Sequence, residues 1–314
     1  MRARVMTGFT QRYRSPSSFL VACLLAVAAV SISSAAILVR LSHASALACA
    51  FWRLILSSAM LLPWLASEHD GSGKNSLVVT PTMVVAGVSL GLHFALWMDS
   101  LFRIPVAVST AIVVLYPVHS MLFETLRGEK MAPIGVAGMI LALLGLLLYF
   151  GDSLLVGGLD VLGLVESFLA LVLAAVYFYL GRMARQEMSV YSYAAPTYLF
   201  GALTVLASSL VVGDNVFSYL RGSWVWFVAL AAIPMIGGHT VMNYLLEFRR
   251  SSTVTSIAFL EPVLASALAC VLLGETPELR HILVMLMMAA GVALVVLGEK
   301  KEESHSNSGV LEAV

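Results

Sequence analysis

Charge is what this chain has least of. Only 11% of its 314 residues are charged, and 18 Lys+Arg balance 18 Asp+Glu to a formal net charge of zero. Cysteine is scarcer still. Cys23, Cys49 and Cys270 stand singly in apolar stretches, without the spacing of a disulfide framework or a thiolate metal site, and read as packing residues. There is no glycine-rich phosphate loop and no soluble domain of any size, which sets aside ATP-driven chemistry. No cofactor and no nucleic-acid partner is expected.

What fills the chain instead is hydrocarbon. Hydrophobic residues make up 60% of it, and apolar runs of about 20 residues recur along the whole length. Runs of that length match an all-α polytopic membrane protein, because backbone groups in lipid must be satisfied within each segment. The alternating ten-residue segments of a transmembrane barrel are absent. Hydropathy and turn signals predict ten spans, near 19–39, 45–66, 80–101, 105–126, 132–151, 158–181, 191–213, 223–246, 253–273 and 280–298. The basic start, the apolar run and Ala44-Ser45-Ala46 imitate a secretion signal. The apolar stretch is longer than a usual signal core, so an uncleaved first helix is expected. The Ser-rich segment 299–314 is expected to be a disordered tail.

Orientation follows from the basic residues. With the N-terminus inside, the cytoplasmic face collects Arg2, Arg4, Arg12, Arg14, Lys74, Arg127, Lys130, Arg182, Arg185, Arg249, Arg250, Lys300 and Lys301, leaving Arg40, Arg103, Arg221 and Arg280 outside. Both termini are therefore expected in the cytoplasm, with the protein in the cytoplasmic membrane. Arg53 is the one basic residue inside a span.

The chain also repeats itself. From residue 93 it reads HFALWMDSLFRIPVAVSTAIVVLYPVHSMLFETLRGE, and from 239 it reads HTVMNYLLEFRRSSTVTSIAFLEPVLASALACVLLGE. His93 and His239, Phe102 and Phe248, Arg103 and Arg249, Gly128 and Gly274, and Glu129 and Glu275 pair at an offset of 146, and Pro117 and Pro262 at 145. Such self-similarity decides architecture first. Residues 1–17 form an N-terminal segment, 18–151 a first five-helix repeat and 158–298 a second. Because five is odd, the second repeat enters the membrane from the opposite side, and the repeats are inverted. That construction suits alternating access.

The segments FLEPVLASALACVLLGETP at 259–277, LYPVHSMLFETLRGEK at 115–130, GGHTVMNYLLEFRRSSTVT at 237–255 and FWR at 51–53 resemble the EamA-type transporters of the drug/metabolite transporter superfamily. The resemblance implies a ten-helix inverted-repeat fold and movement of small organic solutes, often export of amino acids or related metabolites. It also implies a central cavity lined by helices one to four of each half, with the fifth and tenth to the side. The first half departs by carrying Tyr116 where the second has Glu261, and Glu166 and His119 have no place in the family pattern.

The polar residues within spans are the candidate site. Glu261 lies about 12 Å along the ninth run by helical rise. A bare carboxylate at that depth costs roughly 2.5–3.5 kcal/mol, so it faces protein or water or is protonated. It is either a functional titratable group, able to couple transport to protons, or a structural plug on the backbone loosened by Pro262. Pro117 holds the equivalent place in the fourth run, either breaking it beside a cavity or kinking it for packing. His93, Trp97 and Ser100 share a face of the third run, as do His239 and Asn243 on the eighth. These are the expected substrate contacts: His93, Trp97, Pro117, His239, Asn243, Glu261 and Pro262. No metal spacing joins the histidines. Arg53 needs a counter-charge, which Asp99 or Glu166 could supply as a clamp or an outer gate. Glu124, three residues before Arg127, reads as half of an interfacial ion pair. Gly138 and Gly145, and Gly291 and Gly298, recur at seven-residue spacing, which permits close helix contact within the subunit.

The reading is a secondary transporter of small organic metabolites; a channel or a non-transporting scaffold is the alternative. An intramembrane enzyme is not expected, since Ser120 or Ser266 with His119 makes no catalytic constellation. The partners are the lipid bilayer and a small-molecule substrate, and the sequence leaves the oligomeric state open.

Overall fold

The computed structural model describes residues 16–70, 78–154, 157–264 and 279–312. It is all-helical throughout those residues. Nine helices among them are long and apolar enough to cross a membrane: Ser18–Leu41, Ala46–Glu68, Pro81–Arg103, Val106–Leu126, Pro133–Gly151, Val161–Arg185, Val190–Val212, Leu220–Leu245 and Leu279–Glu299. The expected ninth run begins with an α-helix at Ser251–Thr255 and is described only as far as residue 264, so Leu279–Glu299 is the tenth span in order. Arg2, Arg4, Arg12, Arg14, Lys74, Ser266, Cys270, Gly274 and Glu275 lie outside the described residues. Large apolar side chains such as Phe168, Trp224, Leu210 and Val211 are exposed on the outside of the bundle, the surface a lipid solvent requires.

Helix packing follows the repeat. The third span packs on the sixth, and the first packs on the eighth, which is the same relation with the halves exchanged. The second packs on the seventh, the fourth on the ninth run, and the fifth on the tenth. Small residues set the closest approaches. A Cβ at Gly91 would sit 2.5 Å from the Gly201 carbonyl oxygen of the seventh span. One at Gly291 would sit 2.5 Å from the Ala142 nitrogen of the fifth. The seven-residue glycine pattern thus joins the fifth and tenth spans within the chain, as expected from spacing.

Four of the runs are not continuous α-helix, and each interruption has a local cause. The first span stops at Ser33 and resumes at Ala35. There Ser33 Oγ donates to the Ala29 carbonyl and Ser34 Oγ to the Ser31 carbonyl, both at 2.7 Å, in competition with the helical ladder. The fourth divides into Val106–Val113 and Tyr116–Leu126, because Pro117 has no N–H for the carbonyl four residues earlier. In the eighth, Pro234 lies within a π-helical stretch, Ala231–Thr240. Loosened carbonyls of that stretch accept from side chains, Ala231 from Ser57 Oγ at 3.3 Å and Met235 from Thr240 Oγ1 at 3.1 Å. In the ninth, a 3₁₀ segment, Ser256–Leu260, leads up to Glu261 and Pro262.

Two expectations need correction. The last helix does not end at Glu299 but runs Leu279–Glu312, through most of the segment expected to be a disordered tail. Lys300-Lys301-Glu302-Glu303 are good helix formers with opposite charges three apart, so the helix propagates beyond the apolar run that starts it. Cys49 is buried as expected, but Cys23 lies exposed on the outer face, where it packs against no core.

The glycine contacts are directly testable. Gly291→Val drives a branched side chain into the fifth span and should destabilise by about 1–3 kcal/mol, read as a lower melting temperature in detergent. Gly151→Ala, where an added Cβ meets nothing within 4 Å, should leave the melt unchanged.

Candidate functional site

The interruptions surround a partly open cavity, with about 390 Å³ of empty space when the open solvent at its mouth is included. Ile32 and Ala35 flank the break in the first span, Val113 and Tyr116 flank that in the fourth, His239 comes from the π segment, and Glu261 follows the 3₁₀ segment. Arg53 from the second span, His93, Phe94 and Trp97 from the third, and Phe178 from the sixth complete the wall. Irregular backbone is tolerated at membrane depth where it lines a cavity, so breaks and cavity explain each other. Both halves contribute, and the fifth and tenth spans contribute nothing to this wall.

Five of the predicted residues therefore meet: Arg53, His93, Trp97, His239 and Glu261. His93 is oriented by a 2.8 Å bond between Nδ1 and the Ala170 carbonyl, and its ring stacks parallel to Trp97 at 6.3 Å. His239 lies between Phe178, at 5.5 Å, and the edge of Phe94, at 5.2 Å, with its Nδ1 buried and unpaired. Arg53 is 1% exposed and stacks over the Phe94 ring at 4.0 Å.

Three other predicted contacts stand behind the wall. Pro117 and Pro262 are buried, and their effect is to turn the preceding residues, Tyr116 and Glu261, to the cavity. Asn243 is fully buried one turn beyond His239, donating from Nδ2 to Tyr177 Oη at 2.6 Å and Tyr198 Oη at 3.0 Å. Tyr198 Oη in turn pairs with Thr240 Oγ1 at 2.9 Å. Shared helical face put Asn243 beside His239 in the sequence, but tyrosines from the sixth and seventh spans engage its amide behind the wall.

The ion pairs also differ from expectation. Asp99 and Glu166 do not partner Arg53; they converge on Arg103, at 2.6 and 3.2 Å, with Asp160 at 3.8 Å. Arg103 is one turn from Asp99 on the third span and sits at the end of the helix where the sixth begins, so it outcompetes the more distant Arg53. Glu124 is not an interfacial partner of Arg127. It is buried, and it accepts from Ser251 Oγ at 2.7 Å, Ser252 N at 3.2 Å and Ser252 Oγ at 2.5 Å, with Arg182 Nη1 at 3.3 Å. Arg182 also pairs with Glu129 at 2.6 Å. One carboxylate thus ties the ends of the fourth, sixth and ninth helices, at the first turn of Ser251–Thr255, where a negative charge is favoured. Nearby, Arg185 binds Glu247 and the Asn243 carbonyl.

Sequence reasoning missed Phe94 and Phe178 as wall residues and the Tyr177–Asn243–Tyr198 network. Aromatic residues in a membrane span are unremarkable singly, and no spacing marks which face the cavity. Tyr116 carried a signal, since it is the repeat mate of Glu261.

Comparison with known proteins bears on the family and the fold. The model of the EamA-like transporter family matches the chain twice, over residues 18–151 and 161–297. A protein of Archaeoglobus fulgidus described as an uncharacterized transporter is 21% identical over 268 residues, covering 85% of this chain and 93% of its own length. The uncharacterized transporter YxxF of Bacillus subtilis (strain 168) is 25% identical over 254 residues, covering 78% and 79%. A protein of known crystal structure has the same fold at a TM-score of 0.71 and 19% identity, covering 90% of this chain and 99% of that one.

The contrasting placements of Asn243 and Glu124 predict graded effects on stability. Asn243→Ala leaves two buried tyrosine hydroxyls short of a partner and should cost about 1–3 kcal/mol. Glu124→Ala removes the acceptor of Ser251 Oγ, Ser252 N and Ser252 Oγ together, leaves Arg182 with Glu129 alone, and should cost more. Melting of monodisperse protein in detergent checks both. A wild-type melt for Asn243→Ala would show that its tyrosine bonds do not support the fold.

Proposed function

The chain belongs to the EamA-like transporter family, and on that premise we propose that it is a secondary transporter that moves small organic metabolites, such as amino acids or related compounds, by alternating access. The direction we infer is export, and the site is the cytoplasmic membrane. The supporting observation is a polar and aromatic cavity, walled by both halves, at which four helices lose regular structure. A substrate held there needs only one side's wall to loosen at a time.

Under this reading the end bearing Arg182, Arg185 and Arg250 faces the cytoplasm, in keeping with the positive-inside bias, and both termini lie there. The Glu124 cluster is then the inner closure and the Arg103 cluster lies at the outer end. Each is built from charged groups that water can resolvate when the ends part. Glu261 is the group we assign to proton coupling. It is the one carboxylate on the cavity wall, and an exchange of its proton between the two sides links the gradient to the substrate.

Solute counterflow in proteoliposomes, with labelled amino acids and other metabolites, tests the reading: a transporter exchanges, a channel conducts without exchange, and a scaffold does neither. With an exchanged solute in hand, Glu261→Gln should insert normally, retain counterflow and lose the pH dependence of net uptake. Full net transport with unchanged pH dependence would assign Glu261 to structure.

A further inference from the structure

The guanidinium of Arg53 stands at the cavity wall with hydrogen-bond donors left open. It is 1% exposed, and its Nε and Nη1 have no hydrogen-bond acceptor. Among the described residues, no carboxylate comes within ion-pair distance of it. Asp99 and Glu166 are engaged by Arg103, and Glu261 shares the cavity without closing a salt bridge to it. The Phe94 ring, with its centre 4.0 Å from the guanidinium carbon, supplies some attraction, but it does not satisfy the open N–H donors. Buried donors left open are costly, and they persist where a ligand fills them.

We propose that Arg53 is the substrate anchor and that what it holds is a carboxylate, with the remainder of the substrate a flat apolar group lying among Phe94, Trp97 and Phe178. This deepens the transporter reading and rests on it. The guanidinium edge presents parallel N–H donors at the spacing of the two carboxylate oxygens, a match that a lysine cannot make. The aromatic side chains offer faces rather than hydrogen bonds, so the body of the ligand is selected for planar apolar area. His239, with Nδ1 open, adds one further polar contact, whereas His93 already spends Nδ1 on the Ala170 carbonyl. A purely cationic ligand could pair only with Glu261 and would leave the donors of Arg53 open.

Glu261 decides between the two kinds of carboxylate compound. For an amino acid, its carboxylate receives the ammonium. For an organic acid without an amine, it must carry a proton while the acid is bound, or two anions would share the cavity.

Calorimetric titration of the purified full chain in detergent tests this with four ligands on one framework: phenylalanine, phenyllactate, phenethylamine and 2-phenylethanol. At least one of the two acids should bind saturably below about 10 mM, with phenethylamine and 2-phenylethanol at least tenfold weaker. Arg53→Lys, which keeps the charge and loses the fork, should weaken the bound acid by tenfold or more. Should that variant fail to fold, Glu261→Gln gives the second reading. It should tighten phenyllactate if the substrate is a simple acid, and weaken phenylalanine if it is an amino acid. Binding of neither acid, equal binding of phenethylamine or 2-phenylethanol, undiminished affinity in folded Arg53→Lys, or no change with Glu261→Gln would each overturn the proposal. Because binding is read without transport, protein that rejects both acids yet exchanges another solute in vesicles keeps the transporter reading and loses only this one.

Discussion

A bilayer offers no hydrogen bonds to the backbone, so every interruption of a membrane helix must be supplied with partners by the protein itself. The rest of this structure depends on that constraint. Four runs are interrupted, and none of the interruptions is left facing lipid: serine and threonine hydroxyls and a shared internal cavity surround them. The cavity exists because the breaks need it. The breaks are confined to one place because only there does the cavity exist.

Charge is organised by the same economy. Few ionisable groups lie within the spans, and besides the Arg185–Glu247 pair three sets stand out. Arg103 gathers Asp99, Asp160 and Glu166 at one end; Glu124 gathers Arg182 and the serines of the ninth helix at the other; Arg53 and Glu261 face the cavity between. The two end sets are internally paired and therefore close the bundle without any ligand. The middle set is not. On the transporter reading proposed above, that difference separates groups that hold the protein shut from groups that receive a substrate.

Much of this was legible in the sequence, and the residues show why some was not. Hydropathy placed the spans because burial in lipid needs only length and composition. The offset between His93 and His239, and between Pro117 and Pro262, exposed the repeat and located the breaks in the fourth and ninth runs, because proline acts on its own backbone. The π stretch around Pro234 was not anticipated, and neither were the partners that hold Asn243 behind the wall, since Tyr177 and Tyr198 lie in other helices. Partner choice was the other failure. That Arg53 needs an anion is local knowledge, but that Arg103 takes both candidates depends on where the third and sixth spans meet. Glu124 was misassigned for the same reason, as its partners lie in the ninth run, 127 and 128 residues away.

The central claim is that the helix ends tied by Glu124 separate while the cavity remains in place. Electron–electron resonance distances between spin labels at Leu126→Cys and Glu187→Cys, both exposed at those ends, measure this in a background from which Cys23, Cys49 and Cys270 have been removed. Two distance populations are expected in lipid, with the longer one enriched by Glu124→Gln, which weakens the tie without removing it. A single unchanging distance in both proteins, with transport intact, would contradict the claim.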